Sequence, residues 1–420
     1  MEIIPIDHPL NATVCVPGSK SLTNRALLIA ALANGKTRLT NALFSDDSCY
    51  LAKALRTLGF DVDLDEQNQE MIVTGLGGKI PANKAELFIG NAGTAARFLT
   101  AFLTLGNGGF LVDGEPRMRE RPIGDLVAAL TQLGATLEAP NNCPPVKISA
   151  AGLPGGKTTI AGDISSQFLS ALLMVAPYAH TPIEITLSTE LNSKPYVDMT
   201  IAVMHDFGMS IERRDYSLFT IHSSSYSSLS CYQIESDASA ASYFFAAPAI
   251  CGGTVQVENI SRKSKQGDIA FLNVLQQMGC GIKEGENYIE VTGAPNLYGT
   301  DMDMCDIPDT AQTLAAVAPF ASSPTRIRGI ASARLKETDR VHATCTELTR
   351  LGVHVEEHDD GMTIYPCEKF IPATIQTYND HRMAMAFSLI GLRVPGVVIE
   401  NPSCVSKTFP DYFRVLETLR

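Results

Sequence analysis

Two cations, Lys20 and Arg25, stand in the first turns of an apolar helix in PGSKSLTNRALLIAALANG. A helix start carries the positive end of the dipole and unpaired N–H donors, so each base there is disfavoured by about 0.3–1 kcal/mol. An anion bound between these side chains and the helix end would reverse the sign. Two solvated surface cations would show the same spacing. Polar groups also gather before five further small apolar helices, in GNAGTAAR, GDISSQF, ESDASAAS, CDIPDTAQ and YNDHR. Helix N-termini brought together would hold phosphates and carboxylates. Three other charged runs stand out: RMRER at 117–121, KETDR at 336–340 and DHR at 380–382. Each has a plain alternative, respectively a solvated basic loop, a helix face with i,i+4 pairing, and a capped salt-bridge cluster. PGSKS is not a phosphate-binding P-loop, because the required G-x-x-x-x-G-K-[ST] spacing fails at Gly18 and Lys20.

The elements that must position these groups repeat. LAKALRTLGF, LVAALTQLGA, IAVMHDFGMS, FLNVLQQMGC and CTELTRLGVH are amphipathic and end at Gly59, Gly134, Gly208, Gly279 and Gly352, 71–75 residues apart. YFRVLETLR closes the chain without its glycine. Such a period marks an architectural repeat. Each unit also holds a small apolar first helix, such as AARFLTAFL or MAMAFSLIGL, and strand-like runs such as GGFLVDG and MIVTGL. The pattern predicts six helix–strand–helix–strand–strand units, an α/β protein with buried first helices and more exposed second helices. Gly35 is placed as the C-cap of the first helix.

The chain has 420 residues, 45% hydrophobic and 19% charged, with a formal net charge of −12. That balance speaks against general affinity for nucleic acid or an anionic membrane, so an anionic ligand needs a local basic cluster. Ten cysteines include no C-x-x-C pair and no zinc spacing. They read as thiols of a reducing compartment. The N-terminus MEIIPIDHPL lacks a signal-peptide pattern, and no run reaches the ~18 apolar residues of a membrane span. The expectation is a cytoplasmic protein.

PGSKSLTNRALL, LFIGNAGTAAR, GEPRMRERPIGDL, ISSQFLSALL, NSKPYVDMT, DASAASYF, IPDTAQT, LKETDR, YNDHRMAMAFSL and SKTFPDYF occur in this order. Together they resemble the 5-enolpyruvylshikimate-3-phosphate synthase family over nearly the whole chain. The resemblance implies an α/β fold of two similar lobes that close on each other, each of three βαβαββ repeats, an inside-out α/β barrel. One lobe would be continuous, residues 17–235; the other would join residues 1–16 to 236–420. The implied reaction joins shikimate 3-phosphate and phosphoenolpyruvate, releasing phosphate, with no cofactor and no metal, in a monomer whose partners are these small molecules alone.

Two substrates that each carry a phosphate and a carboxylate require several Lys and Arg, and Arg suits bidentate oxyanion contacts. On the family pattern, shikimate 3-phosphate would meet Lys20, Ser21, Arg25, Ser165, Ser166, Gln167, Ser193, Tyr196, Asp309, Ser332 and Lys336. Phosphoenolpyruvate would meet Lys20, Asn91, Gly93, Arg121, Gln167, Arg340, Arg382 and Lys407. Addition and elimination need one group for the hydroxyl proton and one for the C3 proton. The resemblance assigns these to Asp309 and Glu337, with Lys20, His381 and Lys407 assisting. Three residues depart from the pattern. Phe98 stands where relatives usually carry proline, Ser332 where they often have asparagine, and Ser236 where they have glycine. Phe98 could shift its helix or be absorbed by packing; it bears on the response to glyphosate. Two other readings stay open: the sister UDP-N-acetylglucosamine carboxyvinyltransferase and a non-catalytic anion-binding relative. The first often has a cysteine in the loop matching GEPRMRERP, and this loop has none.

Overall fold

The computed structural model describes residues 1–420. Twelve α-helices alternate in character. They are α1 Lys20–Leu32, α2 Asp46–Thr57, α3 Gly93–Leu103, α4 Gly124–Gln132, α5 Ser166–Val175, α6 Lys194–Asp206, α7 Ala238–Cys251, α8 Phe271–Gln277, α9 Ala311–Val317, α10 Arg340–Arg350, α11 His381–Gly391 and α12 Tyr412–Glu417. The odd-numbered helices are apolar nearly all round and accordingly buried; every residue of α3, α9 and α11 is inside. The even-numbered ones keep a solvent face, as α2 does with six of its residues buried. Five of the even helices end on the spaced glycines, Gly59, Gly134, Gly208, Gly279 and Gly352, whose φ values of 83–104° close the last turn in the left-handed region that glycine tolerates.

Gly35 is not a cap. Helix α1 ends at Leu32 with the extended residue Ala33 as its C-cap. Gly35 (φ 115°) lies inside the strand Asn34–Thr40 that follows at once. The tight helix-to-strand passage leaves no room for a left-handed turn.

The chain folds as two compact units, one formed by Gly18–Ile234 and the other by Met1–Pro17 together with Glu235–Arg420. Each unit has a single hydrophobic core. In the first, three four-stranded sheets share one plan: two parallel strands, then two antiparallel ones. The second repeat shows it in full, as Lys84–Phe88, Asn107–Asp113, Val146–Ala151 and Thr136–Glu138. In the first repeat the leading parallel strand is Tyr232–Gln233, from the far end of the unit, which joins the last repeat back to the first.

The second unit repeats the plan with Leu10–Cys15 as the leading strand beside Gly253–Glu258. Its last repeat is reduced to Thr374–Ile375 and Val398–Ile399, and Glu2 bridges antiparallel to Val398. The N-terminal segment therefore belongs to this unit at both of its ends. Strand burial alternates along Glu70–Leu76 and Val146–Ala151, so each sheet covers the helices with one face and shows the other to solvent. The odd-numbered helices lie inside beneath the sheets, and no sheet closes into a barrel. Strand Glu70–Leu76 rides directly on α1: a Cβ at Gly75 would sit 2.1 Å from the Ala30 carbonyl oxygen and 2.3 Å from that of Ala33.

Candidate active site

In the Gly18–Ile234 unit the starts of α1, α3, α5 and α6 are tied together by polar side chains. Ser19 caps α1, accepting from the Leu22 N–H at 3.4 Å. Lys20 opens the helix with its Nζ 3.8 Å from Asp47 on α2. One turn on, Arg25 is buried. Its Nε donates to Thr200 Oγ1 at 2.7 Å, Nη1 to the Ser21 carbonyl at 3.0 Å, and Nη2 to the Tyr196 carbonyl at 3.1 Å and Ser170 Oγ at 3.4 Å. All four acceptors are neutral. Burial pulls the guanidinium down to about 10, so it remains charged at neutral pH. The Phe98 ring lies 5.4 Å from its Cζ. α3 runs unbroken past Phe98 with that side chain inside, so packing absorbs the residue.

Asn91 and Gly93 form the turn into α3. Arg121 follows the short turn Met118–Glu120 and donates from Nη1 to both the carbonyl and Oδ1 of Asn91, at 3.0 and 3.1 Å. Within RMRER, Arg121 is buried, whereas Arg117 and Arg119 pair at the surface with Glu120 and Asp113. Ser165 caps α5, accepting from the Gln167 N–H at 3.3 Å, and Ser166 is its first residue. The Gln167 amide reaches Thr94 Oγ1 at 3.4 Å, which links α5 to α3. Ser193 takes a left-handed conformation (φ 58°) ahead of α6, and the Tyr196 N–H donates to its carbonyl at 3.1 Å.

In the other unit the charged groups converge on one guanidinium. Arg340, buried at the first turn of α10, donates to Asp380 (Nε–Oδ2 2.7 Å), Glu337 (Nη2–Oε2 2.7 Å) and Asp309 (Nη1–Oδ1 3.2 Å). Burial opposes its charge, but these three carboxylates outweigh it and hold its pKa well above the ordinary value. Asp309 receives a second donor, Arg382 Nη2, at 2.6 Å. Lys407 Nζ stands 3.6 Å from Glu337. Asp380 caps α11 through the Arg382 N–H at 2.9 Å, and His381, wholly buried, places Nδ1 3.5 Å from it.

The segment KETD is not a helix face. α10 starts only at Arg340 with Asp339 as its N-cap, and Glu337 is buried. Lys336 ends the 3-10 turn Ala331–Leu335 that contains Ser332. Ser236 is buried with its carbonyl accepting from Gln266 Nε2 at 2.7 Å. Each unit thus gathers its own share of the candidate residues. Sequence reading named Asp380 within DHR, whose alternative as a capped salt-bridge cluster agrees with its cap on α11 and its pair with Arg340; it missed Asp47 and Asp268 as members of these clusters. Asp380 carried a signal as an acid before a helix start; the other two owe their partners to tertiary packing alone.

A family model described as EPSP synthase (3-phosphoshikimate 1-carboxyvinyltransferase) matches residues 4–416. A protein of that name from Nostoc sp. is 51% identical over 415 residues, covering 98% of this chain and 97% of its own. One from Shewanella denitrificans is 50% identical over 408 residues, covering 96% and 95%. A solved EPSP synthase from Acinetobacter baumannii superposes with a TM-score of 0.82 at 25% identity, covering 99% of this chain and 97% of that one. The enolpyruvyl transferase NikO from Streptomyces tendae shares the fold, with a TM-score of 0.80 at 18% identity. No helix is long and apolar enough to cross a membrane. Matched along almost all of its length, the chain belongs to the EPSP synthase (3-phosphoshikimate 1-carboxyvinyltransferase) family.

Proposed function

We infer that this chain transfers the carboxyvinyl group of phosphoenolpyruvate to the 5-hydroxyl of shikimate 3-phosphate, releasing inorganic phosphate. The observation that carries the residue assignment is Arg340, which holds two carboxylates, Asp309 and Glu337, at once. The chemistry needs two proton-handling groups that stay apart and do not exchange roles. A shared guanidinium fixes both in place.

The 5-hydroxyl adds to C2 of the enol while its proton passes to Asp309. C3 takes a proton from Glu337, which enters this step as the carboxylic acid, and a tetrahedral ketal forms. C3 then returns a proton to Glu337 as the C2–O bond to phosphate breaks, which restores the double bond, and Asp309 passes the hydroxyl proton to the departing phosphate, so both carboxyls regain their starting states. Lys407, beside Glu337, favours its ionised form for the second step. Lys20 offsets charge on the hydroxyl and on the departing phosphate. Arg121, Arg340, Arg382 and Lys407 hold phosphoenolpyruvate, and Asn91 and Gly93 set the position of Arg121. Arg25, Ser21, Ser165, Ser166, Gln167, Ser193, Tyr196, Ser332 and Lys336 hold shikimate 3-phosphate. His381 supports Asp380. The protein acts as a cytoplasmic monomer.

The test is phosphate release from phosphoenolpyruvate with each acceptor alone. Release with shikimate 3-phosphate and none with UDP-N-acetylglucosamine is expected; the reverse, or release with neither, overturns the reading. Glu337→Gln should keep shikimate 3-phosphate binding and lose exchange of solvent deuterium into the C3 methylene.

A further inference from the structure

We propose that Asp268 is a positioning residue for Asp309, a buried second carboxyl whose charge sets how strong a base Asp309 is. The inference rests on Asp309 being the base for the 5-hydroxyl.

Asp268 lies in the short turn Gly267–Ala270 that leads into α8 and is buried. The turn packs against α7, and α7 also packs against the turn Pro308–Thr310 that carries Asp309. The Ser239 hydroxyl, in the first turn of α7, donates to Asp268 Oδ2. Ser239 and Tyr243 stand one turn apart on the same face of α7; the Tyr243 hydroxyl accepts from Arg382 Nη1 at 3.4 Å, and Arg382 holds Asp309, so Asp268 and the Asp309–Arg382 pair meet the same face of this helix. Among the charged groups acting on Asp268 are Asp309, Arg382 from α11 and Asp237 from the cap of α7; α8 has no charged residue. The carboxyl is pushed up to about 7, first by burial and then by the charge of Asp309, with Asp237 adding to the rise. The Ser239 bond and Arg382 act the other way.

The consequence follows from the two arginines on Asp309. Held by Arg340 and Arg382 at 3.2 and 2.6 Å, a carboxylate is a weak base, because both cations favour its ionised form. A negative charge on Asp268 offsets part of that field and raises the proton affinity of Asp309. With Asp268 protonated the offset is missing. The two carboxyls titrate as a pair, and kcat rises as pH passes through the ionisation of Asp268.

The experiment measures kcat against pH, with both substrates saturating, in wild type, Asp268→Asn and Ser239→Ala. Wild type is expected to show a rise centred near neutrality. Asp268→Asn fixes the neutral form, so its profile should be flat there, at about three- to tenfold below the wild-type alkaline plateau. Ser239→Ala removes a donor from the ionised form, so the rise should persist but move to higher pH. A rise retained unchanged in Asp268→Asn, or a loss by one factor at every pH, overturns the proposal. Difference infrared spectra give a readout without turnover: a protonated-carboxyl band titrating near neutrality in wild type and absent from Asp268→Asn. A wild type without that band also overturns it, even if the asparagine variant does not fold. Asp309→Asn separates the two readings. If that variant keeps wild-type kcat, the base assignment falls. If it is inactive while Asp268→Asn keeps the wild-type pH profile, only the present proposal falls.

Discussion

Gly93→Ala tests the phosphoenolpyruvate side of the site with one methyl group. A Cβ at Gly93 would lie 2.5 Å from Nη2, 2.8 Å from Cζ and 2.9 Å from Nη1 of Arg121. Ordinary contact begins near 3.4 Å, so the guanidinium must retreat by about 0.9 Å. The side chain can swing, but its two bonds to Asn91, at 3.0 and 3.1 Å, cannot both survive the move. Gly93 has no left-handed φ, and alanine is the better helix former by about 0.5–1 kcal/mol. Folding stability should therefore change by no more than about 1 kcal/mol. The loss falls on the ligand: one misplaced charge-assisted hydrogen bond is worth about 1.5–3 kcal/mol, or about 10- to 150-fold in affinity. The expected result is a rise of that size in KM for phosphoenolpyruvate, with KM for shikimate 3-phosphate within about threefold of wild type. Initial rates with each substrate varied in turn, together with a denaturation curve, decide the matter. Equal rises in both KM values, or an unchanged KM for phosphoenolpyruvate, would refute the placement of Arg121.

Three further outcomes are expected. Arg25→Met keeps the aliphatic bulk and removes a buried charge whose acceptors are all neutral; urea unfolding should show stability within about 1 kcal/mol of wild type or above it, while KM for shikimate 3-phosphate rises at least about tenfold. Gly75→Ala drives a methyl into the carbonyls of Ala30 and Ala33 and should cost about 1–3 kcal/mol or more in the same assay. Asp268 holds its proton to about 7 in the folded chain against 3.8 ordinarily, so the native state binds more protons across that window and its contribution to stability falls as pH rises through it. Asp268→Asn lacks this loss, and its stability relative to wild type should climb between about pH 4 and 7 and then level off; a constant difference would contradict the shifted titration.

The repeat was legible because its signals are local. Gly59, Gly134, Gly208, Gly279 and Gly352 each answer a left-handed helix end, a need written within one turn of chain. The buried first helices were legible from composition alone. Gly35 misled because the same residue type also serves a strand with φ 115°. The reduced last sheet, completed by Glu2 against Val398, could not be foreseen, since it joins residues at opposite ends of the sequence. For the candidate site, motif resemblance pointed to the basic residues but not to the side chains that meet them. Thr200 and Ser170 reach Arg25 from 175 and 145 residues away. Asp47 and Asp268 look like ordinary surface acids until the fold buries them. KETDR shows the same limit from the other side: its spacing suits a solvated helix face, and only the cap at Asp339 turns Glu337 inward.

The two units compensate their buried arginines differently. In Gly18–Ile234, Arg25 meets hydroxyls, carbonyls and an aromatic ring. Neutral oxygens stabilise a buried guanidinium without cancelling its charge, so the field remains for an anion to use. In the other unit Arg340 and Arg382 meet Asp309, Glu337 and Asp380. Those charges largely cancel, and what remains is a set of carboxyls whose proton affinities are set by fixed neighbours, which suits acid–base work. With a net charge of −12, the proposed binding of two polyanionic substrates needs these local basic clusters and not the overall field. The same division predicts the salt response: added salt should weaken shikimate 3-phosphate binding more than it alters the pH profile of kcat, since buried pairs are screened less than the approach of a charged ligand. Salt titration of KM and of the pH profile in parallel would test this, and a profile that moves as strongly as KM would count against it.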